Sequence, residues 1–174
     1  MLVPFADVGQ TKAEYTALYH GIEGLRGGAT RPMDINAEAA KFAPGWSARN
    51  CLGDSNPGIN AEVYGKKNVL VTHPLNEAIG CELSAEVDVP KGKPVLRLVV
   101  GHHPEGDWTL MIKANGIFLM ETNIGKNAST DGWMEVEVDL SSFAGEKAKL
   151  SLSNMANGWA DEAGYWAKIE VGTK

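Results

Sequence analysis

A chain of 174 residues, 44% hydrophobic and 22% charged, has the composition of one folded domain able to bury a substantial core. Its net charge of -6 and pI near 5.2 argue against nucleic acid or an anionic membrane as the main partner, because both need a basic face to offset phosphate charge. The longest apolar runs, such as Val69 to Val71 and Leu98 to Val100, fall far short of the roughly 20 residues of a membrane helix, so no membrane insertion is expected.

The opening MLVPFADVGQ lacks the basic region, long apolar stretch and small-residue cleavage site of a secretory signal, and we read the chain as an excised mature domain. Thr11-Lys12-Ala13-Glu14 fits a capping box. Tyr15, Leu18, Ile22 and Leu25 follow at helical spacing until Gly27-Gly28, predicting one amphipathic helix over about residues 12 to 25. From Ala29 to Lys67 no period persists, and Pro32, Pro44, Pro57 and the run NCLGDSNPGIN mark irregular structure. Residues 1–67 are therefore expected to form an N-terminal extension, helix plus irregular wrap, packed on a sandwich spanning 68–174.

Strand signals start with VLVTH at 69–73 and CELSAEVDV at 81–89, where Cys81, Leu83, Ala85, Val87 and Val89 alternate with polar residues. After the PKGKP turn, VLRLVVGHH at 95–103 is nearly continuously apolar and reads as a central strand. Asn115-Gly116, inside WTLMIKANGIFLMET, is the strongest hairpin signal in the chain. Three further period-two runs follow: Met134 to Leu140, Lys147 to Ser153 and Tyr165 to Val171. Together they predict an all-β fold, an antiparallel jelly-roll sandwich of about eight strands with one short N-terminal helix. Trp108 is in phase with Leu110 and Ile112 and belongs to the core. Trp133 and Trp166 share a phase with charged residues, which makes them candidate surface rings unless the N-terminal segment covers them.

Chemistry-bearing residues concentrate in loops. His102, His103, Glu105 and Asp107 lie between a central strand and the strand opened by Trp108, and rigidly held loops are where binding groups usually sit. With His73 they offer metal-ligand types, but adjacent histidines on a strand point to opposite faces, and capping of strand ends by hydrogen bonds is the simpler reading. No GxSxG, HExxH, P-loop or dinucleotide motif is present. Sugar binding asks for less: an aromatic ring to stack on, and polar groups for the hydroxyls. Trp46 with Arg49, and Trp159 with Asp161 and Glu162, each set a loop tryptophan beside such groups, though either ring could instead seal the core edge. Cys51 and Cys81 either form one disulfide or are buried thiols.

The phrases VEVDLSSFAG, KLSLSN and GWADEAGYWAKIEV, with NVLVTHP and LRLVVGHHPEGDW upstream, resemble galactose-binding-domain-like jelly rolls over roughly residues 68–172. More closely they resemble carbohydrate-binding modules of secreted bacterial multidomain proteins. The resemblance implies a noncatalytic module that is extracellular, periplasmic or on the cell surface, binds a carbohydrate ligand through loops at one sandwich edge, and contacts other domains of a parent protein. It also favours the Cys51–Cys81 pairing and allows a structural calcium as the one cofactor. The alternatives are a protein-interaction or structural domain and, third, a small glycan-active hydrolase. The expected ligand residues are Trp46, Arg49, His102, His103, Glu105, Asp107, Trp159, Asp161 and Glu162, with no catalytic residue.

Overall fold

A computed structural model of the chain describes residues 33–53 and 56–174, and the helix expected over 12–25 lies outside the described residues. The first described element owes its start to Asp34, whose Oδ1 accepts from the amides of Asn36 (3.0 Å) and Ala37 (3.2 Å) and so satisfies two of the donors a helix leaves orphaned. Helix α1 runs Ile35–Phe42 and buries Ile35 and Ala39.

Ten strands follow: β1 Ser47–Arg49, β2 Gly58–Val63, β3 Lys66–Thr72, β4 Cys81–Asp88, β5 Pro94–His102, β6 Trp108–Ala114, β7 Ile117–Ile124, β8 Trp133–Asp139, β9 Lys147–Ala156 and β10 Gly164–Thr173. They form two five-stranded antiparallel sheets, in the orders β1-β4-β9-β6-β7 and β2-β3-β10-β5-β8. Helix α1, β1 and β2 arise from the stretch read as irregular. The reason is length: β1 has three residues, too few for alternation to show, and β2 (GINAEV) is half-buried without a clean phase. β1 is held by Ser47, Ala48 and Arg49 pairing with Ser84, Leu83 and Glu82 of β4.

The main core fills the space between the sheets with alternate residues of each strand: Leu83 and Ala85 from β4, Leu96, Leu98 and Val100 from β5, Trp108, Leu110 and Ile112 from β6, Val136 and Val138 from β8, Leu150 and Leu152 from β9. Trp166 belongs here too, against the phase read from sequence. The pairing of β10 with β5 shifts register between Trp166 and Lys168, so a bulge reverses the parity and turns the ring inward while Tyr165 and Ala167 stay outside. Trp166 is 0% exposed. Its ring lies 5.3 Å from Trp108, and its Nε1 donates to Thr72 Oγ1 at 2.9 Å.

Trp133 keeps the outward phase read from sequence yet is also buried, because a second, smaller apolar cluster covers the outer face of the second sheet. β3 pairs with β10 only through Leu70–Thr72, so the rest of the β2–β3 hairpin runs free of β10 and its tip reaches Trp133. Trp133 Nε1 donates to Tyr64 O at 3.1 Å, Lys66 Nζ sits 5.5 Å from the ring centre, and Val69, Val71 and Ala163 complete the cluster. Gly101, the cross-strand partner of Trp133, makes room for it: a Cβ there would come within 2.9 Å of the indole. Cys51 and Cys81 form a disulfide with Cα atoms 4.3 Å apart, tying the chain after β1 to the first residue of β4.

Candidate functional site

Three segments that cross from one sheet to the other, 103–107 after β5, 125–132 after β7 and 157–163 after β9, meet at one end of the sandwich. The closest approach is at Gly106, where any side chain would collide with the backbone of Asp161. Between the segments lies a cleft of about 340 Å³ lined by Glu105, Asp107, Asn123, Asn157, Trp159 and Glu162, among others. Four residues expected from sequence, Glu105, Asp107, Trp159 and Glu162, therefore come together.

Asp107 is the tie between the walls. Its Oδ2 accepts from Asn123 Nδ2 and from Asn157 Nδ2, both at 2.9 Å, linking the end of the first crossing and the start of the third to the end of β7. Glu162, 1% exposed, holds the third segment shut: its Oε2 accepts the Asn157 amide at 2.8 Å while its own carbonyl accepts from Asn154 Nδ2. Burial pushes the Glu162 carboxyl above the usual glutamate range and the nearby Asp107 charge pushes the same way; the Asn157 amide and His73 oppose them. Trp159, by contrast, is 44% exposed. Its ring is held edge-on by buried His73, with centroids 5.3 Å apart at 89°. His73 is itself fixed, its Nδ1 donating to Pro74 O at 2.9 Å.

The remaining expected residues do other work. His102 is buried and structural: Nδ1 faces two carbonyls, His103 O at 2.7 Å and Gly106 O at 3.1 Å, so it carries the proton, and Nε2 accepts from Ser129 Oγ at 2.8 Å. His103 Nδ1 accepts the Glu105 amide at 3.2 Å, with Asp161 Oδ1 3.6 Å away on the exposed loop. Trp46 is not brought to this cleft. It is 8% exposed and part of the main core beside Ala39, because α1 folds over it. Arg49 is likewise drawn away from the cleft, its guanidinium on Glu82 of the neighbouring strand at 2.9 Å. Asn123, Asn127, Asn157 and Lys126 were missed in the sequence reading, since asparagines in loops read first as turn formers. Among the described residues no group of three or more His, Cys, Asp or Glu is placed to hold a metal ion.

Two more clefts adjoin the first. One of about 350 Å³ is lined by Tyr64, His102, Pro104, Lys126, Ser129 and Asp131. Another of about 670 Å³ lies on the outer face of the second sheet between Tyr64, Lys66, Thr130, Asp131, Trp133 and Glu135. Tyr64 is 46% exposed, its ring centroid 6.0 Å from that of Tyr165. Burial raises both phenols, Tyr165 to about 12, so each remains a neutral hydroxyl.

No protein-family description and no curated protein matches this chain. Solved structures do. The chain resembles TmCBM61 in complex with β-1,4-galactotriose at 16% identity and TM-score 0.51, over 83% of this chain and 100% of that one. It resembles a family 35 carbohydrate-binding module from Clostridium thermocellum at 12% identity and TM-score 0.51, over 74% and 92%. A Stig cyclase, Fisc from Fischerella sp. TAU, matches at 15% and 0.50 over 74% and 84%, so the same scaffold also carries catalysis. The ten strands, their two-sheet order and these likenesses identify the fold as an antiparallel jelly-roll β-sandwich, the fold these solved modules also have.

Proposed function

We propose that this chain is a noncatalytic carbohydrate-binding module of a secreted or surface multidomain protein, with its primary site in the cleft closed by Asp107 and Glu162. The observation that carries the reading is Trp159, a ring left open to solvent beside the asparagine amides and carboxylates that line the cleft. A sugar offers the complement, an apolar ring face for the indole and hydroxyls for the rim. Both central carboxylates are engaged in holding the walls, Asp107 by two asparagine side chains and Glu162 by a backbone amide, which supports binding over hydrolysis. The disulfide supports an oxidising compartment. A glycan array with and without calcium tests the reading. Wild-type protein is expected to label a set of neutral glycans, and Trp159→Ala to lose them; an array blank for wild type in both conditions would refute it.

One observation favours a protein-interaction role instead. Ile117 and Phe118 stand 58% and 56% exposed, side by side on edge strand β7. They follow the Asn115-Gly116 turn at the end of β6 opposite Trp108, away from the cleft, so replacing both with serine is expected to leave glycan labelling unchanged.

A further inference from the structure

The three clefts are not separate. The first and second share Lys126, and the second and third share Tyr64 and Asp131, so they form one lane from the sandwich end onto the outer face of the second sheet. Their volumes of about 340, 350 and 670 Å³ together far exceed what one sugar ring fills. Among the described residues three aromatic rings are exposed, Tyr64, Phe118 and Trp159, and two of the three line this lane.

Tyr64 carries a second signal. Val63 pairs with Lys66, so Tyr64-Gly65 is a two-residue hairpin turn, and both residues have positive φ, 43° and 76°. Asparagine is the side chain that such a first position prefers. A bulky ring there bears a conformational cost that asparagine would avoid, and a residue kept against its backbone preference points to function.

Charge sets the ligand class. Five carboxylates, Glu105, Asp107, Asp131, Glu135 and Glu162, line the lane against two lysines, Lys66 and Lys126. A polyuronate would meet net repulsion, whereas an uncharged chain meets only hydrogen-bonding groups and rings.

We propose that the ligand is a linear, neutral polysaccharide bound along its length, with Trp159 and Tyr64 as stacking platforms at separate subsites and Lys126 between them. The proposal rests on the carbohydrate reading above and adds the length of the bound chain and its lack of charge.

The test is titration of the wild-type chain with linear oligosaccharides of two, four and six units in the β-1,4-galactose, β-1,4-xylose, β-1,4-glucose, β-1,4-mannose and α-1,4-glucose series, with polygalacturonate alongside. In a series that binds, the six-unit chain is expected to bind about thirtyfold more tightly than the two-unit one, beyond the roughly fivefold that overlapping pairs give statistically. Tyr64→Asn should erase that gain, keep the disaccharide affinity and leave the melting temperature equal or higher. In wild-type protein the six-unit chain should shift the backbone amide resonances of Gly65 and Glu135, and the two-unit chain only those of 157–162. This readout decides the matter if the variant fails to fold. Equal affinity for two and six units, with both lost in Trp159→Ala, would overturn the extended lane and leave the carbohydrate reading standing. Polygalacturonate binding as tightly as the best neutral chain would overturn the neutral assignment. No binding in any series would remove both.

Discussion

Replacing Cys51 and Cys81 together with alanine removes the cross-link without leaving a buried hydroxyl at Cys81, which is fully buried. The bridge spans a sequence separation of 30. In the chain-entropy account a loop of about 30 residues costs the oxidised unfolded chain about 12 cal/mol/K, or about 3.7 kcal/mol at 25 °C. Little of this should be offset in the folded state, because Leu52 N still donates to His73 O at 3.1 Å and β1 still pairs with β4. Equilibrium urea unfolding of the oxidised wild type, the reduced wild type and the double variant provides the assay. The variant and the reduced protein should coincide, both about 3 to 4 kcal/mol less stable, with a larger m-value because the unfolded chain without its cross-link is more expanded. A loss under about 1 kcal/mol with an unchanged m-value would show that the bridge does not restrict the unfolded chain as this reasoning requires.

The two tryptophans near the cleft end separate structure from binding: Trp166→Ala should cost about 3 to 5 kcal/mol in chemical denaturation, whereas Trp159→Ala should change stability by less than about 1 kcal/mol while removing glycan binding. Equal destabilisation by the two would mean that the Trp159 ring is structural. Glu162→Gln probes the buried carboxyl. A carboxyl whose folded pKa is raised contributes stability that is complete below the ordinary glutamate pKa and is lost as pH rises through the raised value. The glutamine variant cannot lose that contribution, so its melting temperature should gain on wild type over the interval in which pH rises above the ordinary glutamate range. A variant that falls progressively behind wild type over that interval contradicts the assignment. His73→Ala should leave Trp159 without its edge contact, weakening disaccharide binding with little change in the fluorescence-monitored unfolding midpoint; full retention of affinity would show that the indole needs no such support.

Long strands were legible in the sequence because each has one wet and one dry face: β4, β6, β8 and β9 alternate as the residues do. Parity failed where the backbone broke its own period. The bulge at Trp166/Lys168 sent an apparently outward ring into the core, and no residue type at that point announces it. It also failed to separate outward from exposed, since Trp133 faces away from the main core yet lies under a hairpin contributed by residues nearly 70 positions upstream. The loop residues fared by the same logic. Carboxylates and a tryptophan clustered within 105–107 and 159–162 stayed together because their loops join the two sheets at one end. Trp46 and Arg49 were each claimed by a nearer partner, the core under α1 and Glu82, and Asn123 and Asn157 act through an aspartate distant in sequence. Tyr64 showed itself only in the structure, through its exposure and its backbone conformation.

The position of β10 also sets a timetable for folding. This strand, the last of the ten in chain order, lies in the middle of the second sheet between β3 and β5. Thr72 and Gly164, side by side there, are 92 residues apart. The first sheet can pair β4, β9, β6 and β7 before β10 leaves the ribosome, but β3 and β5 cannot close on each other without it. Until then their apolar faces have no lasting partner, and closure must gather contacts of high sequence separation, the slow regime for small domains. Refolding should be rate-limited by docking of 164–173, so a substitution such as Ile169→Ala, whose side chain packs on the main core, is expected to slow refolding more than it speeds unfolding, whereas β7 substitutions should do the reverse.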